Sequence, residues 1–466
     1  IHWSVGQLTI GEDAAIDVSG RGEANTFSWS RFGGSYGGAG GERPEDETFG
    51  DFAQPVSFGL SRHEGVRGGG VIRISADSVL LDGSIISDGQ QSGHIYAGGS
   101  GGSIWLTVGE LSGSGRISAS GGPGGPNPTG NGGGGGRVAL YYEANNGFDP
   151  LNIEARGGVA TGTYSNGGAG SVYYKNTLDG ASTLRYYGSV PSSLLSKVQG
   201  PIPDGTTLEV INTRVVVDNV DGDANQGSGS LGADRHIRVN DGYLSFRPVP
   251  NDALPSRWDT VTLEGEAVVS HSAISRDDAS THTGIHWSVG QLTISEDSAI
   301  DVSGRGETGG ETGTVATRHG GSHGGAGGQR ASDDTFGDFA QPTDFGSAVN
   351  TSNRGGGVVR ISAEHVLLDG SISADGHSVY RGGGSGGSVW LTVGELSGSG
   401  LISANGGSGG SGGSKQLGSG GGGGRGGRKA KRADEPRWKR WLRRIGLGAL
   451  IAGLAVALIG IVALLI

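Results

Sequence analysis

The sequence predicts an all-β fold: a glycine-rich parallel β-helix (a solenoid), followed by a C-terminal transmembrane α-helix. Three observations carry this. The opening decapeptide Ile-His-Trp-Ser-Val-Gly-Gln-Leu-Thr-Ile returns unchanged at 285–294, and later blocks keep step: 48–55 recurs at 335–342 and 105–111 at 390–396. Copying of this length is typical of stacked arrays. Glycine makes up 99 of 466 residues, far above the usual share of about 7%. Short apolar runs with a two-residue period follow the glycine clusters, which is a strand signal.

The first copy, 1–184, carries these runs at Val71-Ile72-Arg73-Ile74, Ile104 to Val108, Val138 to Tyr142 and Val172 to Tyr174. They recur every 32 to 34 residues. Ile104, Leu106 and Val108 fall on one face, with Trp105 and Thr107 on the other. A second strand follows in each period, at Val79 to Ser87, Leu111 to Ser120 and Leu151 to Ala155. Such a rung buries two or three aliphatic side chains at about 1.5–3 kcal/mol each. Ordering the chain costs about 1–2 kcal/mol per residue, so a lone rung is unstable and stacking is required. Glycine weakens strands, so the acidic, glycine-rich segments are expected to bulge from the column as loops.

Residues 185–284 hold less glycine, are punctuated by prolines such as Pro201, Pro203, Pro248, Pro250 and Pro255, and read as a β-rich continuation with shorter turns or as a small β-sandwich insert. Residues 285–403 form the second copy, and 404–428 read as a Gly/Ser linker. In the first copy Gly132 to Arg137 leads into a strand; the matching Gly420 to Arg425 leads into a basic tail. Ile1 lies inside the repeat, since its copy Ile285 follows Thr283-Gly284 without a break. The chain therefore reads as a piece of a longer array or a processed product.

The segment 429–444 is basic and juxtamembrane in character, with Trp438, Trp441, Arg443 and Arg444 suited to an anionic headgroup layer. Residues 445–466 are 22 residues without a charge. As a helix they span about 33 Å, against a hydrocarbon core of about 30 Å. Ala449, Gly453 and Ala457 form a small-residue stripe that permits close helix packing. The positive-inside rule sets this basic flank in the cytoplasm, which conflicts with a surface-exposed body. A cell-surface body and a cytoplasm-facing, tail-anchored scaffold both stay open.

Charge is segregated. Ten of the 35 Lys+Arg lie in 425–466, which leaves 25 basic against 44 acidic residues in 1–424, a net of −19. An acidic body disfavours nucleic acid as a partner. The chain has no cysteine, which excludes disulfides and thiolate chemistry.

Candidate sites are sparse. Asp221, Asp223 and Asn225 follow a D-x-D-x-N spacing that presents oxygens to calcium. The EF-hand glycine and closing glutamate are missing, and a solvated turn is the competing reading. No other cofactor is indicated. His271, His282 and His286 cluster in sequence near Asp277-Asp278, and His319 and His323 sit in a glycine loop; neither group has ligand spacing on a defined element. Trp105 and Trp390 lie opposite the aliphatic column, either exposed for stacking on sugar rings or packed on the solenoid side. Phe49, Phe52 and Pro55 predict that the 48–55 loop docks back on the column.

The runs Ile16-Asp17-Val18-Ser19-Gly20-Arg21-Gly22, Leu81-Asp82-Gly83-Ser84-Ile85 and Gly101-Gly102-Ser103-Ile104-Trp105-Leu106 resemble the repeats of large glycine-rich β-helical surface proteins of bacteria. So do the Gly34 to Gly38 loop and Gly167 to Tyr173. The resemblance covers most of 1–415. It implies a secreted or surface-exposed, adhesin-like stalk. Together with the apolar tail, the chain reads as a non-catalytic, membrane-anchored surface stalk or adhesin, with membrane lipid through the C-terminal helix, surface glycan or other repeat proteins as partners. The alternative is a carbohydrate-active β-helix, a polysaccharide lyase or hydrolase, which needs clustered acids on adjacent rungs.

Overall fold

Each apolar run forms a strand, and the strands stack in sequence order. The computed structural model describes residues 1–24, 32–42, 48–93, 96–126, 130–188, 196–199, 201–217, 235–309, 320–328, 335–349, 353–378, 382–409, 411–412 and 416–417. Among them the architecture is all-β, with a single short 3-10 turn at Pro150–Asn152. One sheet of 12 strands runs from His2–Ile10 through Val71–Leu81, Ser103–Ser112 and Arg137–Asn146 to Ser388–Ser397. Smaller parallel sheets face it. One has four strands, from Ala15–Asp17 to Ile153–Glu154; the other has seven, from Ser196–Val198 to Leu401–Ser403. The expected period is present, since Arg73 pairs with Trp105 and Trp105 with Ala139 in parallel register.

Residues 185–284 do not form a separate sandwich. Their strands Thr206–Ile211, His236–Asn240 and Ser256–Glu264 continue the long sheet, each parallel to the next.

The long sheet is not uniformly parallel. Ser171–Asn176 and Ser182–Tyr187 pair antiparallel. Before this hairpin the core lies on the face of Ile72, Leu106, Leu140 and Val172. After it the core lies on the face of Leu184, Leu208, Val261 and Leu292. Leu184 is paired with Tyr173, the neighbour of Val172, and adjacent strand residues point to opposite faces. The core therefore changes sides where the chain reverses. A half-turn about the stacking axis performs both changes at once, so the two coils keep the same hand.

The switch leaves each core with an end to close. The first ends at Arg185, which bonds Glu209 at 2.8 Å, Tyr174 Oη at 2.8 Å and Pro150 O at 3.1 Å. The second begins under the 48–55 loop. Phe52 packs edge-on to Tyr173 at 5.4 Å, and Tyr141 Oη donates to Ala53 O at 2.9 Å. The predicted docking of this loop is present in the first copy. In the second copy Phe339, the counterpart of Phe52, stands exposed.

The glycine-rich segments differ from expectation. They do not bulge as loops: Gly33 to Gly41, Gly98 to Gly102 and Gly130 to Gly136 are buried. Their backbones bond to one another, with Gly134 N donating to Gly34 O, Gly101 N to Gly134 O, Gly38 N to Gly135 O and Gly135 N to Gly168 O. Chains this close leave no room for a side chain, and a Cβ on Gly135 would collide with Ala155 O and Gly170 N. Glycine is used here for close approach of backbones. The layer recurs in the second copy, where Gly321 N donates to Gly383 O and Gly356 N to Ser385 O.

His271 ties the 185–284 segment to the second copy and gives stability a pH dependence. It is fully buried; Val358 N donates to its Nε2 at 3.2 Å, and Nδ1 lies 2.8 Å from Ser272 O. The neutral Nδ1–H tautomer satisfies both bonds. Burial, with Arg305 nearby, pushes its pKa down to about 4, against the Ser272 bond. The unfolded chain takes up this proton near 6.5, so the unfolded state binds more protons between the two values. Stability is complete above pH 6.5 and falls as pH drops towards 4, by about 3 kcal/mol in all. Urea denaturation of His271→Gln should show a flatter pH dependence over that window. An unchanged slope would refute the assignment.

Candidate functional site

The side chains opposite each core carry what chemistry the column offers. Two sets stand out, and both are duplicated.

The first is a series of aspartates at the strand ends. Asp82 accepts Ser114 N at 3.1 Å, and its copy Asp369 accepts Ser399 N at 3.0 Å. Asp88 accepts Ser118 Oγ at 2.6 Å and Ser120 N at 2.7 Å; Asp375 accepts Ser403 Oγ at 3.1 Å and the Asn405 backbone N–H. Each joins one rung to the next. Burial pushes the Asp88 carboxyl up; the Ser118 and Ser120 bonds and Arg116 pull it down, and Asp17 raises it.

The second set is a ladder of arginines on aromatic rings. Arg73 lies over Trp105 at 4.1 Å and Arg360 over Trp390 at 4.5 Å. Arg214 over Tyr243 and Arg235 over Trp258 repeat the motif elsewhere. Such stacks contribute about 0.5–1 kcal/mol at exposed sites. Trp105 and Trp390 are thus half-buried beneath a guanidinium. Sequence reasoning missed the arginines, although Arg73 and Arg360 sit at outward positions of strands adjacent to the tryptophans.

In the second copy this face is walled. Asn251, Ala253, Leu254 and Pro255 stand beside His286, Arg360, Ser362, Trp390 and Thr392 to enclose a cleft of about 440 Å³. Parallel register aligns His286, Arg360 and Trp390 in one row, and Ser288, Ser362 and Thr392 in the next. The lining carries no carboxylate. Burial, then the Arg360 charge, push the His286 imidazole down. A second cleft of about 540 Å³ includes Glu23, Ser35, Phe49 and Arg62.

The histidine cluster expected from sequence is dispersed. His271 is buried in the core, His286 lines the cleft, and His282 bonds the Asp278 turn. His323 is buried, with Nδ1 2.9 Å from Gly386 O. Asp278 closes a turn with Ser275 Oγ at 2.6 Å. Among the described residues no three His, Asp or Glu side chains gather to hold a metal ion. The calcium candidates Asp221, Asp223 and Asn225 lie outside the described residues, as does His319. So do the anchor candidates Trp438, Trp441, Arg443, Arg444, Ala449, Gly453 and Ala457. Among the described residues no helix is long and apolar enough to cross a membrane.

No protein-family model, curated protein or solved structure matches this chain.

Proposed function

We propose that the chain is a structural stalk or adhesive element of a cell surface, built by stacking and without a catalytic role, and held to the membrane by its apolar C-terminal segment. One observation carries this reading. The duplicated acids Asp82, Asp88, Asp369 and Asp375 are committed to bonds between rungs. A glycoside-cleaving β-helix would need its acids directed into a groove, free to exchange protons with a substrate. Copying has kept the parts that hold rungs together, which suits a column selected for length and stiffness.

The reading is tested by protease treatment of intact cells producing the chain. The glycine-rich body should be cut before lysis. A body protected until the cells are broken would overturn the surface assignment and favour a cytoplasm-facing scaffold.

A further inference from the structure

We propose that the walled cleft of the second copy binds a glycan bearing a carboxylate. This deepens the surface reading above and rests on it only for where the ligand is met. Arg360 makes no ion pair among the described residues, and no acid lines the cleft with it. A guanidinium offers a planar fork to a carboxylate, and an unpaired one in a carboxylate-free cleft favours an anion. An inorganic anion would need no more than that charge. The rest of the lining is of another kind. Trp390 seats the guanidinium, Leu254 and Pro255 form an apolar wall, and Ser362 and Thr392 add paired outward hydroxyls. Hydroxyls take the hydroxyl groups of a sugar and the apolar wall its C–H face; few polar groups among apolar walls is the usual make-up of a small-ligand site.

The first copy provides an internal comparison. His2, Arg73 and Trp105 repeat the row, and Arg73 stacks on Trp105 as Arg360 does on Trp390. Among the described residues the wall of Asn251, Ala253, Leu254 and Pro255 stands beside the second site and none stands beside the first. If the stack were enough to bind, both sites would do so; if the enclosure is needed, only the second will.

The test uses the full chain, titrated with trigalacturonate and with its carboxyl-reduced counterpart, by calorimetry. The acidic trisaccharide should bind at least tenfold tighter than the neutral one, the scale of a charge-assisted hydrogen bond. Arg360→Gln should abolish that preference, while Arg73→Gln should leave affinity within about twofold. Ser362→Asp, a change at an exposed position, should weaken binding tenfold and serves if Arg360→Gln fails to fold. Equal affinity for the two sugars overturns the proposal, and so does an equal loss in Arg73→Gln and Arg360→Gln. Because binding is read on purified protein, its failure is separable from failure of the protease assay.

Discussion

Phe52→Ala should destabilise the protein by about 3–5 kcal/mol, while Phe339→Ala should change stability by no more than about 0.5 kcal/mol. The two phenylalanines occupy the same place in the same octapeptide. Phe52 is 3% exposed and Phe339 84%. The difference arises from what lies beside each loop. The first loop reaches the hairpin where the core changes face, and there Phe52 joins Tyr173, Leu184 and Tyr186 to close the start of the second core. Among the described residues no such switch follows the second loop. Truncating Phe52 opens a cavity at the end of a stack; truncating Phe339 removes atoms already in water. Urea midpoints of the two variants would decide, and equal losses would show that the loop does not act as a cap.

Gly135→Ala should cost about 3 kcal/mol, the upper end of the usual penalty for overpacking. The added methyl would meet Ala155 O and Gly170 N in a layer where Gly135 also donates to Gly168 O and accepts from Gly38 N. None of these backbones can retreat without breaking a bond to a third. Gly11→Ala is the control, since a Cβ there meets nothing within 4 Å; it should fall within about 0.5 kcal/mol of the parent. Comparable losses in both would show that close packing at Gly135 is not the cause, since the entropy effect of Gly→Ala is stabilising.

Much of the scaffold was legible. The two-residue alternation of Ile104, Leu106 and Val108 placed them on the buried face, and the 32- to 34-residue spacing placed Trp105 next to Arg73 and Ala139. The docking of Phe52 followed from its aromatic character. The candidate cleft was half legible: Trp390 was identified as outward-facing, but Arg360, His286 and the Asn251 to Pro255 wall are distant in sequence and meet only through strand register. The fate of the glycines was misjudged, because composition shows that side chains are missing and not what fills the space.

Sequence by itself determined the strands, their stacking order and the copied parts, because alternation and period are local and survive duplication. Only the tertiary structure decided which face of the sheet is core. That choice turns on one antiparallel pairing, Val172 with Arg185, which reverses the chain and moves the buried face across the sheet. The consequence is plain in two neighbouring residues: Val172 is buried in the first core and Tyr173 in the second. A residue's burial is set by the strands on either side of it, and those neighbours come from tens of residues away.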